Sequence, residues 1–135
     1  MKTIPSIQKY MITSPLTIGS HETLDRVKDL MSQKHIRHLP VVSEGKVVGI
    51  ISDRDLTLVA TFKDVDLAGV QVADAMTYRP YTVHPEAPLD EVAIEMAEKK
   101  YGSVVVVDNG HPVGIFTAVD GLRTLAELLR TRLTK

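Results

Sequence analysis

Residues 15–55 read PLTIGSHETLDRVKDLMSQKHIRHLPVVSEGKVVGIISDRD, and residues 80–120 read PYTVHPEAPLDEVAIEMAEKKYGSVVVVDNGHPVGIFTAVD. Laid together without a gap, in the register that carries Pro15 onto Pro80, the two stretches agree at about a third of their positions. Thr17 falls on Thr82, Leu24 on Leu89, Asp25 on Asp90, Val27 on Val92 and Met31 on Met96. Val41 then falls on Val106, Gly45 on Gly110, Gly49 on Gly114, Ile50 on Ile115 and Asp55 on Asp120. Agreement of this kind over an ungapped stretch marks an internal duplication, and each copy should be one supersecondary unit.

Each copy reads as βαββα. A short β-type segment follows the proline, Leu16-Thr17-Ile18 or Tyr81-Thr82-Val83. Leu24, Val27, Leu30 and Met31, and in the second copy Leu89, Val92, Ala93 and Met96, recur every three or four residues and make one apolar helical stripe. Thr23 or Pro88 stands at the helix start, as capping favours. Two apolar runs follow, 39–42 and 46–51, split by Ser43-Glu44-Gly45; in the second copy 104–107 and 113–116 flank Asp108-Asn109-Gly110. These are β-hairpins, since a type I′ turn needs positive φ at both central residues and Asn-Gly supplies it at least cost. The last strand of each copy runs into a helix, Asp53 to about Lys63 and Ala118 to about Arg132.

The joining stretch 64–77 has a few apolar residues and one glycine, so it should be an ordered crossover and not a tether. The boundaries expected are 1–67 for the first repeat with the N-terminal segment and 68–135 for the second repeat with the C-terminal helix, together one module. A three-stranded sheet with two helices leaves one sheet face open, which an identical neighbour can cover. The fold class expected is α/β of the α+β kind: two βαββα repeats related by pseudo-two-fold symmetry, sheets face to face and helices outside.

The 135 residues suit one domain or two small repeats sharing a core. With a net charge of -1 and no Lys/Arg block longer than Lys99-Lys100, the basic footprint of a nucleic-acid binder is missing. No cysteine means no disulfide, no zinc-cysteine site and no thiol nucleophile, which suits a reducing compartment. The first residues lack the apolar run of a signal peptide, and no stretch of about 18 apolar residues occurs, so a cytoplasmic protein free of the membrane is expected.

The informative motif lies at the final strand-to-helix junction: Gly49-Ile50-Ile51-Ser52-Asp53-Arg54-Asp55, and again Gly114-Ile115-Phe116-Thr117-Ala118-Val119-Asp120. A hydroxyl, two free positions and a carboxylate repeat. One explanation is a capping box, with Ser52 or Thr117 accepting from an early helix amide and the carboxylate reaching back. Another is ligand binding, in which the carboxylate accepts both hydroxyls of a vicinal diol, with the neighbouring hydroxyl and helix amides available to ribose or phosphate oxygens.

The duplicated βαββα unit, the hairpin and this doubled junction resemble the paired cystathionine-β-synthase-type domain, the CBS pair or Bateman module, over about residues 8 to 128. That resemblance implies no catalysis and a regulatory role. Ser52 and Asp55 in one cleft between the repeats, and Thr117 and Asp120 in the other, would hold a ribose. Arg37, His38 and Arg54 would meet phosphate, and Ile18, Val83, Gly102 and Ser103 would lie against adenine. The plainer alternatives are a solvated turn for Arg37 and His38, a salt bridge on its own helix for Arg54, and core packing for Ile18 and Val83. The second copy has Gly102, Ser103 and Val119 where the first has Arg37, His38 and Arg54, so unequal affinity is expected.

The regulatory ligand implied is an adenosine-containing nucleotide, AMP, ADP or ATP before S-adenosylmethionine because of the cations in the first copy. The resemblance also implies a homodimer, for which Leu122, Leu125, Ala126 and Leu129 make an apolar stripe, and a separate, unidentified target protein. A ligand-free interaction module with the same fold is the competing reading. His35 and His38 lack a third ligand nearby and make a poor zinc signature, and no nucleophile elbow, P-loop or H-E-x-x-H appears. No metal and no catalytic cofactor are expected.

Overall fold

Two-residue turns at Glu44-Gly45 and Asn109-Gly110 close the two hairpins on which everything else is hung. All four residues have positive φ (53° and 80°, 52° and 83°), the type I′ geometry that matches strand twist. They join β3 (His38–Ser43) to β4 (Lys46–Ser52), and β7 (Ser103–Asp108) to β8 (His111–Thr117). The computed structural model describes residues 3–133, and among them are two four-stranded sheets and five α-helices of a mixed α+β fold.

In the first repeat β2 (Ile18–Gly19) runs parallel to β3, after which α1 (Leu24–Lys34) crosses back. Leu24, Val27 and Met31 are the buried face of α1, as their spacing requires. Thr23 stands at the N-cap, yet its hydroxyl donates to the Asp25 carboxylate instead of accepting from the helix amides. The helix ends at His35, held in the left-handed region at φ 55°. β4 leads into α2 (Asp53–Ala60), which stops short of Lys63 because the chain turns at Thr61. In the second repeat β6 (Thr82–Val83), α4 (Leu89–Lys99) and α5 (Ala118–Arg132) take the equivalent places, with Leu89, Val92 and Met96 buried.

The crossover is ordered and carries more than expected: α3 (Val72–Ala75) and β5 (Thr77–Tyr78). β5 pairs with β4, giving the sheet order β2-β3-β4-β5, and β1 (Ile12–Thr13) pairs with β8, giving β1-β8-β7-β6. Each sheet therefore has four strands, not three, and the fourth precedes the proline that opens a repeat. The strand preceding the first repeat belongs to the second repeat's sheet, and the strand preceding the second belongs to the first's.

Contacts divide the chain accordingly. Residues 15–80 form one compact unit, and the segment up to Ser14 joins the chain from Tyr81 onward in the other. This differs from a division at 67/68, whose outer limits also include residues 1–2 and 134–135, outside the described residues. The reason is packing. Ile7 is fully buried in a core with Leu89, Val92, Met96, Val104, Val106 and Phe116, and its amide donates to the Ala87 carbonyl. The other core gathers Ile18, Leu24, Val27, Met31, Leu39, Val41, Ile51, Leu56, Val72 and Met76.

The glycines that open the junction motif are explained by these exchanged strands. A Cβ on Gly49 would stand 2.5 Å from the Met76 sulfur and 2.8 Å from the Thr77 carbonyl oxygen, and one on Gly114 would overlap the Met11 thioether. Only glycine lets the methionine before each exchanged strand lie across the neighbouring strand.

Candidate functional site

Hairpin register assembles each junction. His38 is paired with Ser52, and Ser103 with Thr117, so the start of one strand lies beside the end of the next. The amide of Asp53 donates to the Arg37 carbonyl and that of Ala118 to the Gly102 carbonyl, both at 3.0 Å. Arg37, His38, Ser52, Arg54 and Asp55 are thereby brought to one end of the first sheet. Gly102, Ser103, Thr117 and Asp120 are brought to the matching end of the second.

Both junctions hold a complete capping box. Ser52 Oγ accepts from the Asp55 amide at 3.2 Å, and Asp55 Oδ2 accepts from the Ser52 amide at 2.8 Å and from its hydroxyl at 3.0 Å. The second box repeats these bonds, with Thr117 Oγ1 accepting at 3.2 Å and Asp120 Oδ2 accepting at 2.8 and 2.9 Å. Each box is worth about 1 kcal/mol to its helix. Capping uses only one carboxylate oxygen, however. Among the described residues Asp55 Oδ1 has no partner, and Asp55 is half-buried. Asp120 is 7% exposed, and its Oδ1 lies 3.6 Å from Arg123 Nη1.

The other expected residues divide by exposure. Arg37 Nε lies 4.0 Å from Asp53 Oδ2 in a solvent-exposed pair of little energetic worth. Arg54 is exposed and makes no ion pair among the described residues, so the salt bridge on its own helix is not formed. His38 and Ser103 are half-buried and Gly102 is exposed. Ile18 is 6% exposed and belongs to its core, which leaves it little surface for a ligand; Val83 is half-buried against the other core.

Three features escape a reading of the motif alone. Arg123 is one, although its place three residues after Asp120 puts it on the same helix face. A second is the ring pair of Tyr81 and Tyr101, with centroids 5.3 Å apart, where the first copy has Leu16 and Ile36. Burial raises the Tyr81 pKa, and the charges of Glu95, Tyr101 and Glu91 raise it further. The third is the placement of the cavities. One of about 310 Å³ lies between α1 and α2 and one of about 270 Å³ between α4 and α5, and neither is lined by the capping-box pairs.

The α5 stripe is largely exposed. Leu122 is 67% exposed, and Leu125 and Leu129 are about half exposed. No helix among the described residues is long and apolar enough to cross a membrane.

Comparison with known proteins agrees with this architecture. The CBS domain family model matches twice, over residues 7–60 and 72–127, so each match begins in the segment that precedes its repeat along the chain. The CBS domain-containing protein YhcV of Bacillus subtilis is 27% identical over 115 residues, 85% of this chain and 81% of that protein. Inosine-5'-monophosphate dehydrogenase of Bifidobacterium longum is 36% identical over 117 residues, but this chain spans only 21% of its length. Among solved structures, the CBS domain pair of protein MJ0100, in complex with 5-methylthioadenosine and S-adenosyl-L-methionine, has a TM-score of 0.85 at 29% identity, covering 93% of this chain and 99% of that one.

Proposed function

The chain belongs to the CBS domain family, and from that premise we propose that it is a regulatory module that binds an adenosine-containing ligand at its strand-to-helix junctions. Ser52 with Asp55, and Thr117 with Asp120, take the ribose. Arg37, His38 and Arg54 meet phosphate at the first junction, which favours AMP, ADP or ATP. Gly102, Ser103 and Val83 border the base, with a lesser share for the buried Ile18. Occupancy is passed to a separate target protein.

The observation that carries this reading is Asp55 Oδ1. The capping box already satisfies the helix through Oδ2, so a further carboxylate oxygen without a partner among the described residues, on a half-buried aspartate at the same end of the sheet as Arg37 and Arg54, is more than capping needs. A diol can donate to it without dismantling the box. The binding of 5-methylthioadenosine and S-adenosyl-L-methionine by the MJ0100 domain pair supports an adenosine ligand. The cations at the first junction are the reason to expect phosphate on it here.

The exposed α5 stripe supports homodimerisation as part of the proposal, since adjacent apolar side chains on one helix face gain by mutual burial. A chain without cysteine suits the cytoplasm, which is proposed as its place. The second reading, an interaction module with no small ligand, is favoured by the completeness of both capping boxes. Calorimetric titration with AMP, ATP and S-adenosylmethionine separates the two: saturable heat that Asp55→Ala diminishes supports the sensor, and no heat with any of them supports the interaction module.

A further inference from the structure

The two junctions share their hydroxyl and carboxylate pairs and differ again one helical turn later. Ser52 corresponds to Thr117 and Asp55 to Asp120, but Leu58 stands where the second repeat has Arg123. Arg123 Nη1 lies 3.6 Å from Asp120 Oδ1, the oxygen that capping leaves over, while Asp55 Oδ1 has no partner among the described residues. The Asp120 side chain is 9% exposed and the Arg123 side chain 75%, so a guanidinium held largely in solvent is paired with a nearly buried carboxylate.

We infer that Arg123 is an internal latch that ranks the two sites, holding the second junction's carboxylate in an ion pair that a ligand must displace. This rests on the ribose reading of the capping boxes. A hydroxyl donating to Asp55 Oδ1 displaces only water. One donating to Asp120 Oδ1 also breaks a charge pair and has to enter where Arg123 lies. The arginine is largely solvated and swings aside easily, so the pair weakens the second junction by about two- to fivefold and does not close it. For a ligand without phosphate the first junction fills at lower concentration and the second at higher, and Arg123 sets that difference. Arg123 acts through Asp120 and is a positioning residue, not a ligand contact.

Adenosine is the probe, because it is uncharged and its affinity should respond to salt only through the latch. Titrated into the full chain carrying Asp55→Ala, it reports the second junction alone. Adding Arg123→Leu, the residue type of the first repeat, should tighten that binding about two- to fivefold. Raising ionic strength should tighten adenosine binding in the Asp55→Ala chain and leave the Asp55→Ala/Arg123→Leu chain unchanged, a response that lost helix packing would not produce. Leu58→Arg in an Asp120→Ala chain should weaken the first junction by a similar factor. Binding that needs Asp120 but ignores both Arg123→Leu and salt overturns the latch and leaves the ribose reading standing. Adenosine binding that is absent from the unmodified chain, or that survives Asp55→Ala and Asp120→Ala together, overturns both.

Discussion

Replacing Gly49 and Gly114 by alanine, one at a time, should destabilise the protein unequally even though the two glycines are equivalent in the repeat. At Gly49 the added methyl would meet the Met76 sulfur at 2.5 Å and the Thr77 carbonyl oxygen at 2.8 Å. The thioether can rotate away. The carbonyl cannot, because β5 is held in register with Ile50 opposite Thr77 and Gly49 opposite Tyr78. The strands must part, and overpacking of this kind costs about 1–3 kcal/mol, with this case toward the upper end. At Gly114 the three atoms nearest the methyl all belong to the half-buried Met11 side chain. Its displacement costs about 1 kcal/mol, partly offset by the lower chain entropy of alanine in the unfolded state. Thermal and urea denaturation followed by circular dichroism should therefore place Gly49→Ala several degrees below Gly114→Ala. A Met11→Ala background should erase most of the Gly114→Ala cost, whereas Met76→Ala should leave the Gly49→Ala cost largely in place. Equal stabilities, or full rescue of Gly49→Ala by Met76→Ala, would refute the argument that exchanged-strand backbone is what demands glycine there.

Gly45→Ala and Gly110→Ala, at φ 80° and 83°, should each cost about 1–2 kcal/mol by forcing a Cβ into the left-handed region, measured as a fall in urea midpoint at unchanged slope. The raised pKa of Tyr81 makes its neutral form the one the fold prefers, so the folded state keeps a proton the unfolded state has lost. Stability from this source is intact below the ordinary tyrosine range and drains away as pH rises through the folded pKa; Tyr81→Phe should flatten the alkaline loss, and an identical profile would remove burial as its cause. Leu122→Glu, at the most exposed point of the α5 stripe, should dissociate a dimer in light scattering while leaving the circular dichroism spectrum of the folded chain unchanged, and should remove any dependence of the melting temperature on protein concentration. An unchanged mass from a dimeric parent would move the interface elsewhere.

What was legible in the sequence is what short-range physics writes there. Asn109-Gly110 announces its turn by the φ values that only such residues adopt cheaply, and Leu24, Val27 and Met31 announce a buried helix face by their spacing. The junction motif was readable because a capping box confines its partners to four consecutive positions. The exchanged strands were not. Ile12–Thr13 and Thr77–Tyr78 are two residues each, too short to show alternation, and their partners lie far along the chain. A linear boundary at 67/68 cannot register that Ile7 packs beside Phe116. The candidate site was legible in its pairs and not in its inequality. Ser52 with Asp55 and Thr117 with Asp120 follow from spacing, whereas the state of each remaining carboxylate oxygen depends on burial and on whether residue 58 or 123 carries a charge.

Calorimetric titration of the full chain with AMP, ATP and S-adenosylmethionine, repeated on Asp55→Ala and Asp120→Ala, tests the central claim most directly. The account predicts saturable binding, strongest for a phosphate-bearing ligand, that Asp55→Ala reduces most and Asp120→Ala reduces less, each substitution lowering stability by only about 1 kcal/mol. Binding that persists undiminished when both carboxylates are gone would contradict it, and would leave the two capping boxes as helix caps and nothing more.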